Sequence, residues 1–279
     1  MKKTLFLLIV GVIVVFCSTV EAQTITLPWS TTYNCPELVE GTSPWIGGGA
    51  NLGCDGIQSF GAWTANGQGE QITSAANNPS GGGGRGQRQW NCDGSNCNSG
   101  STIVNFASPQ RELYIRWYMR YQAGYTWAAG APQYDKVLYI RDSTQTMNSI
   151  PEFYSNNWNM FSQVDSNHMI ANMGWAFTQG GSVGDGQFHC FEVHIKTDTN
   201  GGNGIGEFWF EGVRKGSITN INYGRTPGWV SVEIGENQNS PANGGNSYVD
   251  FDDIAISNTG RIGCLATTPP ASPKNLRVN

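Results

Sequence analysis

The sequence predicts an all-β fold, an antiparallel sandwich or barrel. Short segments alternate between apolar and polar residues, which is the period of a strand with one buried face. Turn-forming residues separate these segments, and glycine alone accounts for 37 of the 279 residues. No segment keeps an apolar period of 3.6 over several turns, so long helices are not expected. These features favour packed antiparallel sheets over a helical fold.

The N-terminus predicts an exported protein. Lys2 and Lys3 precede an apolar run over 5–16, and Ala22 ends a stretch that fits a signal-peptide cleavage site. The apolar run is too short for a membrane span, and no later segment approaches one. We therefore expect a secreted or periplasmic monomer without a membrane span. The expected parts are a signal peptide, one β-domain and a proline-rich tail, at residues 1–22, 23–264 and 265–279.

Charge and cysteine content narrow the class of protein further. The formal net charge is −5 and the chain has no basic cluster, which argues against a nucleic-acid partner. Apart from Cys17 in the signal peptide, six cysteines remain. An even number in an exported chain without a CxxC motif favours disulfides over a metal site. The expected pairs are Cys92–Cys97, from the short loop they bracket, Cys35–Cys54 and, by elimination, Cys190–Cys264.

Each predicted strand is a short apolar or alternating segment that ends at turn residues. The turn at Asn200–Gly204 joins two of them as a hairpin. The glycine-rich stretch 77–86 is predicted as a loop, because it lacks the Gly-Lys-Ser/Thr of a phosphate-binding loop and opens no helix. The predicted strands, in order, are Thr24–Leu27, Ile57–Trp63, Glu70–Ser74, Thr102–Phe106, Arg111–Gln122, Asp135–Arg141, Phe153–Val164, His168–Phe177, Asp185–Lys196, Glu207–Val213, Trp229–Gly235 and Tyr248–Ser257.

The strand Arg111–Gln122 has the strongest pattern. Its apolar residues at 113, 115, 117 and 119 can bury in a core. The opposite face then carries arginines interleaved with tyrosines, a combination that suggests a functional surface. The residues of that face are Tyr114, Arg116, Tyr118 and Arg120.

Three later segments carry a resemblance to a known fold. The chain reads DGQFHCFEV from Asp185, GEFWFEG from Gly206 and YVDFDDIAI from Tyr248. These segments resemble the hairpin and the last strand of concanavalin A-like jelly rolls. The stretches 81–90, 113–121 and 136–140 are similar to secreted bacterial polysaccharide-lyase-like proteins of that superfamily. The resemblance implies an antiparallel β-sandwich of the jelly-roll kind.

The resemblance implies less about activity, because the same sandwich hosts lectins, glycosidases and lyases. Lyases of this fold use a tyrosine, sometimes with a histidine, beside Arg, Gln or Asn residues that neutralise the uronate carboxylate. The Gln-Ile/Val-His and Tyr-Phe-Lys-Ala-Gly strands of alginate lyases are absent here. The Glu-x-Asp-x-x-Glu strand of laminarinase-type glycosidases is absent too, so their mechanism is not carried over.

The leading interpretation is a lyase that cleaves a uronate-containing extracellular polysaccharide by β-elimination, with no required cofactor. Arginine can bind the carboxylate in a bidentate fork and lower the pKa of a neighbouring tyrosine that acts as base or acid. His194 is the alternative base. The predicted catalytic residues are Arg116, Tyr118, Arg120, Tyr139 and His194. The predicted substrate-binding residues are Arg85, Arg88, Trp90, Trp127, Arg141, Glu192 and Lys196.

Other interpretations of the same residues stay open. Arg116 and Arg120 can instead form salt bridges with Glu192 or Glu233. A glycoside hydrolase would need two carboxylates about 5–10 Å apart, for which Glu192, Glu207 and Glu233 are candidates. A lectin or adhesin would stack sugar rings on loop tryptophans such as Trp90 and Trp127. Asp250 and Asp252 fall on one face and predict a structural Ca²⁺ site, whereas His168 and His189 are expected to be structural.

Overall fold

The computed structural model describes residues 24–36, 38, 40, 55–57, 59–60, 70–90, 101–125, 134–143, 147–154, 157–161, 168–172, 184–224, 227–235 and 247–266. This part forms sixteen strands and two short 3-10 turns, at Ser74–Ala76 and Pro79–Gly81. The strands are β1 (Trp29–Thr31), β2 (Ser59–Phe60), β3 (Glu70–Thr73), β4 (Gly86–Trp90), β5 (Thr102–Gln110), β6 (Glu112–Tyr121), β7 (Tyr134–Lys136), β8 (Leu138–Asp142), β9 (Met147–Tyr154), β10 (Asn157–Phe161), β11 (His168–Asn172), β12 (His189–Lys196), β13 (Gly204–Phe210), β14 (Val213–Ile221), β15 (Trp229–Ile234) and β16 (Tyr248–Ser257).

The strands form two sheets in which neighbouring strands run antiparallel. The first sheet has the order β14-β13-β12-β6-β16-β4-β3, with β1 paired to β16. The second has the order β11-β10-β9-β8-β15-β5-β2, with β7 paired to β9. Side chains from both sheets share one hydrophobic core. The predicted antiparallel β-sandwich is therefore confirmed.

The core follows the alternation of the central strands. Ile115 and Trp117 of β6 are fully buried, and the ring of Trp117 stacks on Phe191 of β12 with centroids 5.6 Å apart. Ile140 of β8 and Val232 of β15 face them from the second sheet. Each such side chain contributes roughly 1.5–3 kcal/mol by leaving water. This burial fixes which face of each strand is available for chemistry.

Four strands escaped the sequence prediction, namely β1, β4, β14 and most of β9, which was predicted only from Phe153 onward. The predicted strand Thr24–Leu27 was wrong, since only an isolated bridge at Ile25 forms there.

In β4 and β14 the side chains carry no apolar alternation. In β4, the inward residues are Gln87 and Gln89, which are fully buried. The Gln87 side chain accepts hydrogen bonds from Tyr33 and Thr102 at 3.0 and 2.7 Å. Strand β14 is polar and mostly exposed at the edge of the first sheet. Tertiary hydrogen bonds and edge pairing define these strands instead.

One predicted disulfide, Cys190–Cys264, is confirmed. Cys35 is disulfide-bonded too, whereas Cys54, Cys92 and Cys97 lie outside the described residues. The predicted signal peptide also lies outside them, as do residues 267–279 of the predicted tail. In the described part of the chain, no helix is long and apolar enough to cross a membrane.

Candidate functional site

The predicted alternation of β6 is confirmed. Its apolar residues from Leu113 to Met119 belong to the core cluster. The remaining side chains project away from the second sheet, on a surface that we call the outer face of the first sheet. They are Tyr114, Arg116, Tyr118 and Arg120.

The centre of this outer face is covered by the C-terminal part of the chain. Residues 258–265, the C-terminal strap, follow β16 and cross the face. The Cys190–Cys264 disulfide fixes the strap to β12. The backbone N–H of Leu265 donates to the Tyr118 hydroxyl at 2.7 Å, and Arg116 Nη1 donates to the Gly263 carbonyl at 3.3 Å. Tyr118 and Arg116 are only 5% and 8% exposed as a result.

The strap also changes the acid–base properties of these two side chains. Burial raises the pKa of Tyr118, although the Leu265 N–H and the Arg116 charge act in the opposite direction. Burial likewise lowers the pKa of Arg116. The Arg116 charge does lower the Tyr118 pKa as expected, but burial outweighs it, so the predicted net lowering is wrong. The geometry gives Arg116 and Tyr118 the role of holding the strap, and we place no reaction step on them.

Glu192, a predicted substrate-binding residue, is committed to the same strap. Its carboxylate accepts from the backbone N–H groups of Ile262 and Gly263 at 2.7 and 3.1 Å. It also pairs with Arg261 at 3.3 Å. Glu192 is 1% exposed. The salt-bridge interpretation paired Glu192 with Arg116 or Arg120. The structure instead pairs it with Arg261 of the strap.

His194 lies near the far end of the outer face, between two carboxylates. Its Nε2 is 2.9 Å from Glu112 and its Nδ1 is 2.7 Å from Glu207. The Tyr114 ring stacks on the imidazole with centroids 4.2 Å apart, and Lys196 pairs with Glu112 at 3.1 Å. Burial raises the pKa of both glutamates, but hydrogen bonds, chiefly from Lys196 to Glu112 and from His194 to Glu207, outweigh it and hold the pKa low. The cluster connects β6, β12 and β13, and each ring nitrogen of His194 has a carboxylate partner.

The other end of the outer face carries two arginines that share one carboxylate. Arg88 of β4 pairs with Asp250 at 2.7 Å, and Arg120 of β6 pairs with the same Asp250. Asp250 lies directly opposite both residues in the register of β16. Trp90 projects from the same face and contacts Tyr248 edge-on, with centroids 5.3 Å apart. Four predicted site residues are therefore brought together here, namely Arg88, Arg120, Trp90 and the predicted calcium ligand Asp250.

Two further predicted substrate-binding residues do not join this group. Arg85 donates to the backbone carbonyls of Cys35 and Leu38, and its own N–H donates to the Asn34 side chain. These bonds anchor the N-terminal arm, so Arg85 has a structural role. Trp127 lies outside the described residues.

Tyr139 and Arg141 lie on the second sheet, away from the arginines of β6. Both project from the face opposite the core, because Leu138 and Ile140 point inward. Tyr139 is directly opposite Glu233 of β15. Arg141 Nη2 is 2.8 Å from the Glu233 carboxylate, and its Cζ is 5.5 Å from the Tyr139 ring centroid. Ser101 donates to the other Glu233 oxygen at 2.7 Å.

Strand phase would also allow Tyr139 and Arg141 to share one face with Arg116, Tyr118, Arg120, Glu192, His194 and Lys196, but the structure places the first two on the other sheet. Phase along a strand predicted outward and inward residues, but it contains no information on which sheet each strand joins. The same separation affects the hydrolase interpretation. Glu233 is on the second sheet, whereas Glu207 and Glu192 are on the first, where Glu192 is beneath the strap.

The predicted calcium ligands share a face, as expected. In the strand register, Asp250 lies opposite Arg120 and Asp252 lies opposite Tyr118, and both partners are on the outer face. Asp250 does not fit a cation site, because two guanidinium groups already occupy it and would repel the metal. Asp252 instead accepts from the Asn78 backbone N–H at 2.7 Å. Among the described residues, no three acidic, histidine or cysteine side chains could hold one metal ion. Calcium binding elsewhere stays a prediction.

Several site residues were missed from the sequence. Tyr248, Phe188 and Gln71 flank the paired arginines, and Ser101 positions Glu233. Tyr248 could have been recognised as a site residue if its position opposite Trp90 had been known, because these are the first residue of β16 and the last residue of β4. That pairing requires the register of two strands 158 positions apart, which a single sequence does not contain.

No protein-family profile matches the chain, and no curated protein sequence matches it. Among solved structures, the chain is similar to a mutant of alginate lyase Aly36B in complex with alginate tetrasaccharide, with a TM-score of 0.54, 11% identity and coverage of 85% of this chain and 100% of that one. Cellulose-induced protein Cip1 gives a TM-score of 0.49 at 19% identity over 74% and 93% of the two chains. The ligand-binding domain of botulinum neurotoxin serotype D, with N-acetylneuraminic acid, gives 0.45 at 11% over 82% and 47%. The likeness to Aly36B shows a shared fold.

Proposed function

We propose that this protein is an exported lyase that cleaves an acidic polysaccharide by β-elimination at Tyr139 and Arg141. The observation that carries the proposal is the arrangement of Tyr139, Arg141 and Glu233 on the outward face of the second sheet. A phenol and a guanidinium lie side by side there, and the guanidinium is held by a buried carboxylate. Arg141 is the accessible member of the pair, with 26% of its side chain exposed, whereas Tyr139 is 4% exposed, so a substrate would reach the phenol from the Arg141 side.

The reaction has three chemical requirements. A base removes the proton from C5 of a uronate, and that electron pair forms the C4–C5 double bond. The C4–O bond then breaks as an acid gives a proton to the departing oxygen. Negative charge develops on the carboxylate beside C5 as the proton leaves, so a fixed cation close to that group stabilises the transition state.

The three residues match these requirements. Arg141 would bind the uronate carboxylate, because a guanidinium is suited to a two-point bond with a carboxylate. Tyr139 would exchange the protons, because a phenol can act first as the base and then as the acid. Glu233 positions Arg141 at 2.8 Å and is itself fixed by Ser101. Such fixed geometry avoids reorganisation during the reaction.

The shared fold supports this class of substrate. Aly36B, whose whole chain is covered by 85% of this one, is an alginate lyase and its mutant was solved in complex with an alginate tetrasaccharide. The family motifs for alginate are absent from this sequence, so the substrate we propose is an acidic polysaccharide in general. A hydrolase is disfavoured, because the predicted carboxylates are divided between the two sheets.

The test is incubation of the purified protein with alginate, glucuronan, pectate and glycosaminoglycans. We expect ultraviolet absorbance from the unsaturated product on at least one of them, and Tyr139→Phe should abolish it. Reducing ends without this absorbance would indicate hydrolysis and contradict the proposal. Absence of any cleavage by a folded protein across the panel would contradict it as well.

A further inference from the structure

A row of arginine and aromatic side chains crosses the outer face of the first sheet, on the side of the sandwich opposite Tyr139. Arg88 and Arg120 lie on either side of Asp250 in three neighbouring strands. Aromatic rings flank both guanidinium groups. We call this set the arginine–aromatic row. Its members are Arg88, Arg120, Trp90, Tyr248 and Phe188.

The charges of the row do not cancel. Asp250 is fully buried and carries one negative charge, which a single guanidinium would balance. The second arginine leaves an excess positive charge at a surface of an otherwise acidic protein. The side chains of Arg88 and Arg120 remain 12% and 20% exposed. One carboxylate therefore does not neutralise both guanidinium groups.

The two guanidinium groups are also held in place before any ligand arrives. Each donates to Asp250, and each donates through Nη2 to the carbonyl of Ala75, at 3.3 Å from Arg88 and 2.5 Å from Arg120. Nη1 of Arg120 makes no hydrogen bond with any residue that the structure describes. Donors that are ordered in advance lose little conformational entropy on binding.

The rings supply the apolar part of a sugar site. Arg88 Cζ is 3.6 Å from the Tyr248 ring centroid, and Arg120 Cζ is 4.5 Å from that of Phe188. Trp90 is half-buried, and its Nε1 donates to Gln71 at 3.3 Å, which fixes the indole plane. Partly exposed rings next to fixed cations suit a molecule with apolar ring faces and carboxylates, which is the chemistry of a uronate oligosaccharide.

We propose that the arginine–aromatic row is a second binding surface for acidic oligosaccharide, separate from the site at Tyr139 and Arg141. Arg120 binds a carboxylate through its remaining donors, and Trp90 stacks against a neighbouring sugar ring. The inference takes the class of ligand from the proposed function, but it rests on different residues and on the opposite sheet. A polymer bound to the row would stay close to the protein between cleavage events.

The experiment measures oligosaccharide binding by calorimetry, with Tyr139→Phe protein to prevent turnover and a defined uronate hexasaccharide as the probe. We expect two molecules bound per chain. Arg120→Gln and Trp90→Ala should each weaken one of the two by about tenfold or more, which corresponds to about 1.4 kcal/mol. Arg141→Gln should remove the other.

Arg214→Gln is the matched control, because Arg214 lies on the same sheet, 61% exposed, and away from the row. It should leave both affinities unchanged. Arg120→Gln keeps the Arg88–Asp250 pair, so the variant is expected to fold, and near-ultraviolet circular dichroism verifies this.

The two proposals fail in different ways. Binding that responds to Arg120→Gln and Trp90→Ala but not to Arg141→Gln, without cleavage in the wild type, would remove the lyase site and leave the row in place. Binding that is unaffected by Arg120→Gln and Trp90→Ala would overturn the row. So would a hexasaccharide that does not bind at all.

Discussion

The backbone N–H of Leu265 donates a hydrogen bond to the hydroxyl of Tyr118 at 2.7 Å. This bond joins the C-terminal strap to the strand that the sequence indicated most strongly as functional. Together with the contacts of Arg116 and Glu192, it fixes the strap over the centre of the outer face, which is therefore buried. The proposed chemistry lies instead on the second sheet, at Tyr139 and Arg141.

The first prediction concerns the disulfide that fixes the strap. Replacing Cys190 and Cys264 with serine should lower the free energy of unfolding by about 4 kcal/mol, because the bond closes a loop of 74 residues in the unfolded chain. Chemical denaturation measures the change. Lyase activity of the folded variant should be retained, since Tyr139 lies on the other sheet. If the folded variant lost turnover as well as stability, the strap would belong to the active site.

The second prediction contrasts two arginines on opposite sheets. Arg116→Ala removes the partner of the half-buried Gly263 carbonyl and of the buried Asp253 carbonyl, and it should destabilise the fold by about 2 kcal/mol. Arg141→Gln breaks a partly exposed pair and should change stability by less than about 1 kcal/mol.

For turnover, the order of the two variants should be the opposite of the order for stability. The Arg141 variant should lose at least about 100-fold in kcat/KM, as expected for the loss of a transition-state donor. The folded Arg116 variant should keep near-normal turnover. Steady-state kinetics below the melting temperature separate the two, and a strong kinetic defect in Arg116→Ala would restore the outer face as the catalytic surface.

The third prediction is a fall of stability as pH rises from acid to slightly alkaline values. Burial and the adjacent Asp253 carboxylate raise the pKa of Asp252 to about 8. In the unfolded chain this carboxyl ionises near pH ~3.9. Between these values the folded state holds the proton and the unfolded state does not, so stability should fall as pH rises from about 4 through about 8. Melting temperatures across this range should decline less in Asp252→Asn, and parallel curves would contradict the assignment.

The fourth prediction concerns acid. Burial raises the pKa of Glu207, but the hydrogen bond and the charge of His194 outweigh this and lower it overall. A lowered folded pKa stabilises the protein above the unfolded value of about 4.3, and the benefit is lost as pH falls through the folded value. Wild-type protein should therefore lose stability more steeply below about pH 4 than Glu207→Gln. Thermal unfolding between pH 2.5 and 5 gives the comparison, with Glu211→Gln as an exposed control.

The sequence alone was sufficient for the fold class and for the orientation of most strands. Alternation assigned Leu113, Ile115 and Trp117 to the core and Arg116 and Tyr118 to the opposite face, because burial of apolar side chains dictates that choice locally. It was insufficient for β4, whose inward residues are glutamines bound to Tyr33 and Thr102 from distant segments.

What only the tertiary structure decided is which outward residues meet and which stay open. Tyr139 and Arg120 both alternate with core residues and so point outward from their strands, yet the two strands belong to different sheets. Tyr118 became covered because a disulfide fixes a segment almost 150 residues further along the chain above it. The physical reason is that periodicity reports the environment of one strand, whereas a site depends on pairings between strands that are far apart in sequence.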